Sequence, residues 1–469
     1  MTKRIAIIGG GIAGNAILHH VVNHPKFDDS FRIDIFDSKE RMGRGKPYIE
    51  DSEVLLLNIP SDEMSMTNAP YNFVEWLESK NIPVHNYNSR KHFGDYSEEM
   101  FRRTAGVHSS VQLIDCKVTD VVYNEEIESY AVTSEIKSEE YDAVFLTVGQ
   151  LSYSDPYRLK EKQNYIHNPY PLNYNITEID GSVGVIGTGL SAIDCVRYLI
   201  MEQSVDGVRL FSRSGDMPSV RGTSYDLNIQ YFTEEAVDAY IKDDLISLDK
   251  IIKLFKKEMS AQGVDEKLFY RHPESTLDDL KYDINHADAV GKLQYLIIAV
   301  NPLFSRVFPY FTKSDKSRFM REIHPLIDKN HSPMPPEVAA QLVEWAEDGR
   351  VVVIDGIDKV VTNTQFEVMT DSNEMFTVDY LINATGPIKD VEKETSPLIV
   401  NLVDRMLIAS SELGGLIVDK EHRIISPRYG TLKHMYAIGN LTFSSDYMSN
   451  TVNILVKTTK LMVEGIMED

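Results

Sequence analysis

The chain opens on a short unbroken apolar run, Ile5-Ala6-Ile7-Ile8, the pattern of a strand buried on both faces of a parallel sheet. The run stops at Gly9-x-Gly11-x-x-Gly14, Ala16 to Val22 reads as helix, and apolar residues return from Phe31 to Phe36 before Asp37. The same order recurs later. Val183-Gly184-Val185-Ile186 predicts a strand, Gly187-Thr188-Gly189-Leu190-Ser191-Ala192 a turn, Ile193 to Glu202 a helix, and Val208 to Phe211 a strand ending at Ser212-Arg213-Ser214. Two further runs echo each other, Asp142-Ala143-Val144-Phe145-Leu146-Thr147-Val148-Gly149 and Asp379-Tyr380-Leu381-Ile382-Asn383-Ala384-Thr385-Gly386. Each predicts an apolar strand ending in small residues and glycine, and each is expected to end one pass of a first domain, where the chain crosses to or from an inserted one. From Tyr225 to Asp348 the apolar spacing becomes helical, in Glu234 to Ala239, Leu245 to Met259 and Pro336 to Glu347. Val351 to Ile354 returns to strand, Met435 to Asn440 predicts a strand ending at Gly439, and beyond Asp446 to Thr451 a closing helix runs from Val452 to Met462.

Each glycine of the first turn has a physical reason. Gly9 permits the tight turn, Gly11 lets the backbone approach a pyrophosphate, and Gly14 lets helix and strand pack closely. The helix start, with Ile12 and Ala13, offers free N–H groups and partial positive charge to a diphosphate. Asp37 stands where an acidic residue accepts ribose hydroxyls, which completes a dinucleotide fingerprint. Arg41-Met42-Gly43-Arg44-Gly45-Lys46-Pro47-Tyr48 is a second glycine-rich loop, suited to pass along a long cofactor such as FAD with Arg44 near a phosphate. In the second fingerprint Gly187 and Gly189 make the turn, Leu190 and Ser191 open the helix, and Ala192 still permits close packing. No acid follows its second strand. Ser212 and Arg213 stand there instead, and a guanidinium suits a 2′-phosphate, so NADPH is expected rather than NADH. Gly149 and Gly386, which end the echoing strands, join the expected cofactor-binding set, as do Gly439, Asn440 and Thr451 before the closing helix. The expected fold class is α/β, with two Rossmann-like dinucleotide-binding domains, the second inserted in the first. Residues 1–180 and 351–469 form the FAD-binding domain, and residues 181–350 the NAD(P)-binding domain with a helical insertion at about 225–348.

Composition removes several classes. A net charge of −23, from 48 basic and 71 acidic residues, opposes nucleic acid and anionic membrane surfaces. The two cysteines, Cys116 and Cys195, form no C-x-x-C pair, so a disulfide framework, a metal site and a redox-active dithiol are not expected. Met1-Thr2-Lys3-Arg4 leads straight into the first strand without a signal peptide, and Leu293 to Val300 is far short of the roughly 20 residues that span a bilayer, so a soluble cytoplasmic protein is expected. No nucleophile–base pair stands out. His324 and His331, in the helical insertion, are weak candidates for an acid or base, against the simpler reading of structural histidines.

These features resemble the two-dinucleotide-domain flavoproteins, the group that includes class B flavin monooxygenases and N-hydroxylases. More closely, the chain looks like a family described as FAD/NAD(P)-binding proteins, one branch of which is described as FAD-dependent urate hydroxylases. Leu57-Asn58-Ile59-Pro60, Met64-Ser65, Arg90-x-x-Phe93-Gly94-x-Tyr96, the second fingerprint and Met334-Pro335-Pro336 carry the likeness. It implies that Asn58 and Ser65 lie in the loop approaching the flavin, or organise that loop. Gly439-Asn440 departs from the usual Gly-Asp, and Tyr165-Ile166-His167-Asn168-Pro169-Tyr170 lacks the glycine of the Baeyer–Villiger signature. The resemblance implies an FAD-containing, NADPH-dependent monooxygenase that hydroxylates a small molecule through a flavin hydroperoxide, with dioxygen as co-substrate. An FAD-dependent reductase or oxidase without oxygen insertion, and a non-catalytic dinucleotide-binding sensor, stay open as alternatives. A homodimer is the commonest symmetric assembly among soluble enzymes and stays open too.

Overall fold

In chain order, the strands of the two main sheets are β1 (Lys3–Ile8), β2 (Phe31–Asp37), β3 (Val111–Asp115), β4 (Ala143–Leu146), β5 (Tyr165–Ile166), β6 (Val183–Ile186), β7 (Val208–Phe211), β8 (Val351–Ile354), β9 (Tyr380–Asn383), β10 (Arg423–Ser426) and β11 (Gly430–Ala437). The helices that matter for the sites are α1 (Ile12–Val22), α2 (Arg90–Gly106), α3 (Leu190–Met201), α4 (Pro336–Glu347) and α5 (Val452–Glu468). The computed structural model describes residues 2–67, 72–242, 245–270, 276–411, 413–443, 445 and 450–468. They divide into two compact units, one of residues 1–50, 59–152 and 387–469, the other of residues 51–58 and 153–386.

The first unit is built on a six-stranded sheet of order β10-β11-β4-β1-β2-β3, parallel except for the β10–β11 pair. In the register of β1 with β2, Ile5 lies beside Ile33 and Ile7 beside Ile35. Those isoleucines pack under Ile17, Leu18 and Val21 of α1 and Met462 and Ile466 of α5. Ala6, Ile8, Phe36, Val144 and Leu146, on the other face, pack with Val121, Tyr130 and Leu402. Burial on both faces is why β1 and β4 read as unbroken apolar runs instead of alternating ones. The second face is covered by a three-stranded antiparallel sheet (Val118–Asn124, Ser129–Ser134, Ser138–Tyr141) and the helix Pro397–Asp404.

The second unit repeats the plan with an all-parallel sheet of order β8-β7-β6-β9-β5. Val183, Val185, Val208 and Leu210 pack with Ala192, Val196 and Leu199 of α3 and with Leu342 and Trp345 of α4. A second antiparallel sheet (Ile357–Thr362, Phe366–Thr370, Met375–Val378) follows β8, and the helices from Glu234–Asp238 to α4 form the expected insertion.

The expected boundaries at residues 180 and 350 are corrected. β8 pairs with β7, Val208 beside Val351, and β9 pairs with β6, Tyr380 beside Val183. Residues 153–180 and 351–386 therefore fall in the second unit, and Asp379 to Gly386 closes that unit, not the first. The chain leaves the first unit after Ser152 and re-enters it at Pro387, each just beyond a glycine that ends an echoing strand. Before α5, residues 446–449 of the Asp446 to Thr451 stretch lie outside the described residues. No helix among the described residues is long and apolar enough to cross a membrane.

Candidate cofactor-binding site

The first turn is as crowded as its glycines require. Gly9 has φ of +112°, and a Cβ there would lie 2.3 Å from the Thr147 carbonyl oxygen at the end of β4. Thr147 secures the same junction by donating its hydroxyl to Gly9 O at 2.7 Å. A Cβ on Gly14 would lie 2.1 Å from Gly9 O, so only glycine lets α1 sit this close to the turn. Gly11 is the N-cap of α1, and no side chain caps that end. The first-turn amides keep their hydrogen-bonding capacity and the helix end its partial positive charge. Gly9, Gly11, Ile12 and Ala13 line a cleft of about 620 Å³. That volume lies within the roughly 300–1,000 Å³ of small-molecule sites.

Asp37 lines the same cleft. Its Oδ2 accepts the Gly10 N–H at 2.8 Å and its Oδ1 accepts the Ser38 N–H at 2.8 Å. Burial pushes its pKa up against those two bonds. Each carboxylate oxygen retains a further lone pair for a ligand hydroxyl. Gly149, at φ of +74°, lines the cleft and leaves open space where a Cβ would stand. Gly439, at φ of +82°, starts a short 3₁₀ turn, and Asn440 Oδ1 accepts from Asn450 Nδ2 at 3.0 Å. Gly439, Asn440 and Asn450 all line the cleft, with Val452 and Leu455 of α5. Thr451 does not, and instead its carbonyl accepts the Leu455 N–H at 2.9 Å.

Arg44 is paired with α2. Its Nε meets Glu98 and its Nη2 meets Asp95, both on α2, and it is not among the lining residues. The cations of the cleft are Arg41, Lys46 and Lys117. Glu394 is a lining residue that the sequence did not single out. Its carboxylate accepts the Ser152 N–H and hydroxyl at 2.6 Å each, and the N–H groups of Thr395 and Ser396 at 2.8 and 3.0 Å. Burial works against its charge, but the bonds from Ser152, Thr395 and Ser396 outweigh it and hold the carboxyl below its usual value. Glu394→Gln is expected to cost about 2 kcal/mol at neutral pH, since charge-assisted bonds are stronger than neutral ones. Because the folded pKa is depressed, this stability is present above the usual value of 4.5 and is lost as pH falls through the folded one. Urea unfolding of the two proteins should diverge at neutral pH and converge in acid.

The second unit carries a matching turn. Gly187 has φ of +120°, and a Cβ there would lie 2.8 Å from Ala384 O at the end of β9. Gly189 is the N-cap of α3, again without a side-chain cap, and Leu190 and Ser191 form the first turn. Ala192 is fully buried. Ser212 Oγ accepts from Thr188 Oγ1 and from the Gly215 N–H, each at 3.2 Å, and Arg213 beside it is exposed. Gly386 has φ of +81°, and its carbonyl accepts the N–H and hydroxyl of Ser154 at 3.0 Å each.

The remaining candidates are not among the residues that line the cleft. Asn58 belongs to the second unit, where its carbonyl accepts from Arg221 Nη2 at 3.0 Å. Ser65 belongs to the first and organises its own loop, accepting the Thr67 N–H at 3.1 Å. Neither lines the cleft. His324 and His331 are the first and last residues of one helix in the second unit. Burial first, and then the nearby Arg221, pushes His331 down to about 4. That direction favours the neutral imidazole. Lys46, Gln150, Ser152, Glu394 and Asn450 are lining residues that sequence reasoning missed. Lys46 had a local signal, its place in the second glycine loop, whereas Glu394 meets Ser152 from a distant part of the chain.

Residues 6–151 match the model of a family described as FAD-NAD(P)-binding. Comparison with curated proteins finds no match. Among solved structures, an ornithine hydroxylase from Pseudomonas aeruginosa superposes with a TM-score of 0.61 at 14% identity, over 100% of this chain and 99% of that one. An ornithine N-hydroxylase from Kutzneria sp. 744, whose structure holds reduced FAD, NADP+ and L-ornithine, gives 0.60 at 16% identity over the same shares. An L-lysine 6-monooxygenase from Pseudomonas syringae gives 0.56 at 15% identity, again over 100% and 99%. With its two parallel sheets, each opened by a glycine turn, the chain has the fold of the two-dinucleotide-domain flavoproteins.

Proposed function

We propose that the chain is an FAD-containing, NADPH-dependent monooxygenase that hydroxylates a small organic molecule in the cytoplasm. The observation that carries the reading is the uncapped start of α1, whose amides open on a cleft walled by glycines. FAD fits the donor set. Main-chain N–H groups of Ile12 and Ala13 meet a diphosphate, the Asp37 carboxylate takes ribose hydroxyls, and Gly149 leaves room where a side chain would intrude. When bound, FAD supplies two-electron redox chemistry toward NADPH and dioxygen. In the second unit, the uncapped start of α3 suits the nicotinamide dinucleotide's diphosphate, and Arg213 its 2′-phosphate. The amine hydroxylases and monooxygenases that share the fold support oxygen insertion as the outcome.

Anaerobic NADPH should bleach the visible flavin band of the purified protein. With labelled dioxygen and a turned-over substrate, label should appear in the organic product. A flavin that NADPH never reduces removes the reading, and label confined to water or peroxide replaces it with a reductase or oxidase.

A further inference from the structure

The loop that was expected to bring Arg44 to a phosphate also places Lys46 in the lining of the cleft. Arg44 is held by Glu98 and Asp95, away from the lining of the cleft. Gly45 packs directly on the first glycine turn. A Cβ on Gly45 would lie 3.2 Å from Gly11 Cα and 3.6 Å from Ile12 N. Lys46 therefore leaves the backbone one residue away from the amides that open α1. Its Nζ donates to Gln150 O at 2.7 Å, and Lys46, Gly149 and Gln150 all line the cleft. An ammonium has three N–H donors. The Gln150 bond is the one hydrogen bond Lys46 makes among the described residues, so two donors remain for a ligand. Burial, and then Arg41, pushes the Lys46 pKa down, with Glu394 and Asp37 acting the other way. Lys46 is half-buried beside a second cation, and an approaching anion would stabilise both charges.

From this placement we infer that Lys46 binds the cofactor's diphosphate, together with the main-chain amides at the start of α1. The inference rests on the FAD reading above. It places a point charge beside the backbone dipoles of that turn, which adds a salt-dependent contribution that the amides alone do not make.

The test is equilibrium titration of the full chain, freed of flavin, with FAD across a salt series. Urea unfolding of the flavin-free proteins is measured beside it. Lys46→Met should weaken FAD about tenfold at low salt, flatten the salt dependence, and leave the flavin-free unfolding midpoint unchanged, while Lys46→Arg should restore most of the affinity. Arg44→Met should keep the wild-type salt dependence. Unchanged FAD affinity in Lys46→Met overturns the inference. So does a loss matched by lower flavin-free stability, or a flattened salt dependence in Arg44→Met alone. Wild-type protein that binds no FAD removes the flavoprotein reading itself, a result separate from all of these.

Discussion

Gly14→Ala is expected to abolish flavin binding and to destabilise the first unit by about 3–5 kcal/mol, the range of severe core and backbone lesions. The new Cβ would stand 2.1 Å from Gly9 O and 3.2 Å from the Ile7 side chain. The first is a backbone atom, so no rotamer change relieves the overlap. α1 cannot simply lift away, because Ile17, Leu18 and Val21 are fully buried in the core shared with β1, β2 and α5. Moving Gly9 instead disturbs its junction with Thr147, where space is equally short. Either way the turn that presents the cofactor amides is lost. The equivalent position of the second unit is the internal control. Ala192 is already accommodated there, so Ala192→Gly should cost only about 1 kcal/mol, the helix-propensity difference with a small packing loss. Urea unfolding with flavin absorbance on the desalted proteins measures both. Gly14→Ala protein that retains flavin and its wild-type midpoint would show that the turn tolerates a side chain after all.

The two glycine turns were legible because their constraints are local. Gly9 and Gly187 both take positive φ, and each abuts the carbonyl that ends a neighbouring strand, Thr147 O in one unit and Ala384 O in the other. That also explains the echo between Asp142 to Gly149 and Asp379 to Gly386. Each run is the companion strand of its own glycine turn, β4 beside β1 and β9 beside β6. The echo was visible in the chain, but its assignment to a sheet was not. β9 pairs with a strand almost 200 residues earlier, and apolar pattern carries no information about which of two similar sheets a strand joins. The same limit governed the cleft. The loop from Arg41 to Tyr48 has no helical or strand period, so nothing in it says which cation turns inward. The pairing of Arg44 with Asp95 and Glu98 depends on α2, which lies some 50 residues on. Glu394 was hidden for a related reason, since its value lies in four donors, one pair of them from Ser152 at the other crossing of the chain.

Arg213→Glu is expected to lower kcat/KM for NADPH about 100-fold while leaving NADH within a few-fold, because a charge-assisted phosphate contact of about 1.5–3 kcal/mol becomes a repulsion. The residues around Arg213 are held in place. Gly187 and Gly189 shape the turn before α3, and Ser212 is held from both sides by Thr188 and the Gly215 N–H. Arg213 stands two residues past the end of β7 and is exposed, so its guanidinium is not consumed by burial in the core. The 2′-phosphate is the one group that separates the two nicotinamide cofactors at this position, so a residue that reads it must change one affinity and not the other. Exposure also makes the contact screenable, and wild-type preference for NADPH should narrow as salt rises. Arg213→Ala should fall between wild type and Arg213→Glu, since it removes attraction without adding repulsion. Anaerobic flavin reduction rates across NADPH and NADH concentrations measure the effect without needing the substrate. Equal losses for both cofactors would mean that Arg213 supports the loop instead of reading the phosphate.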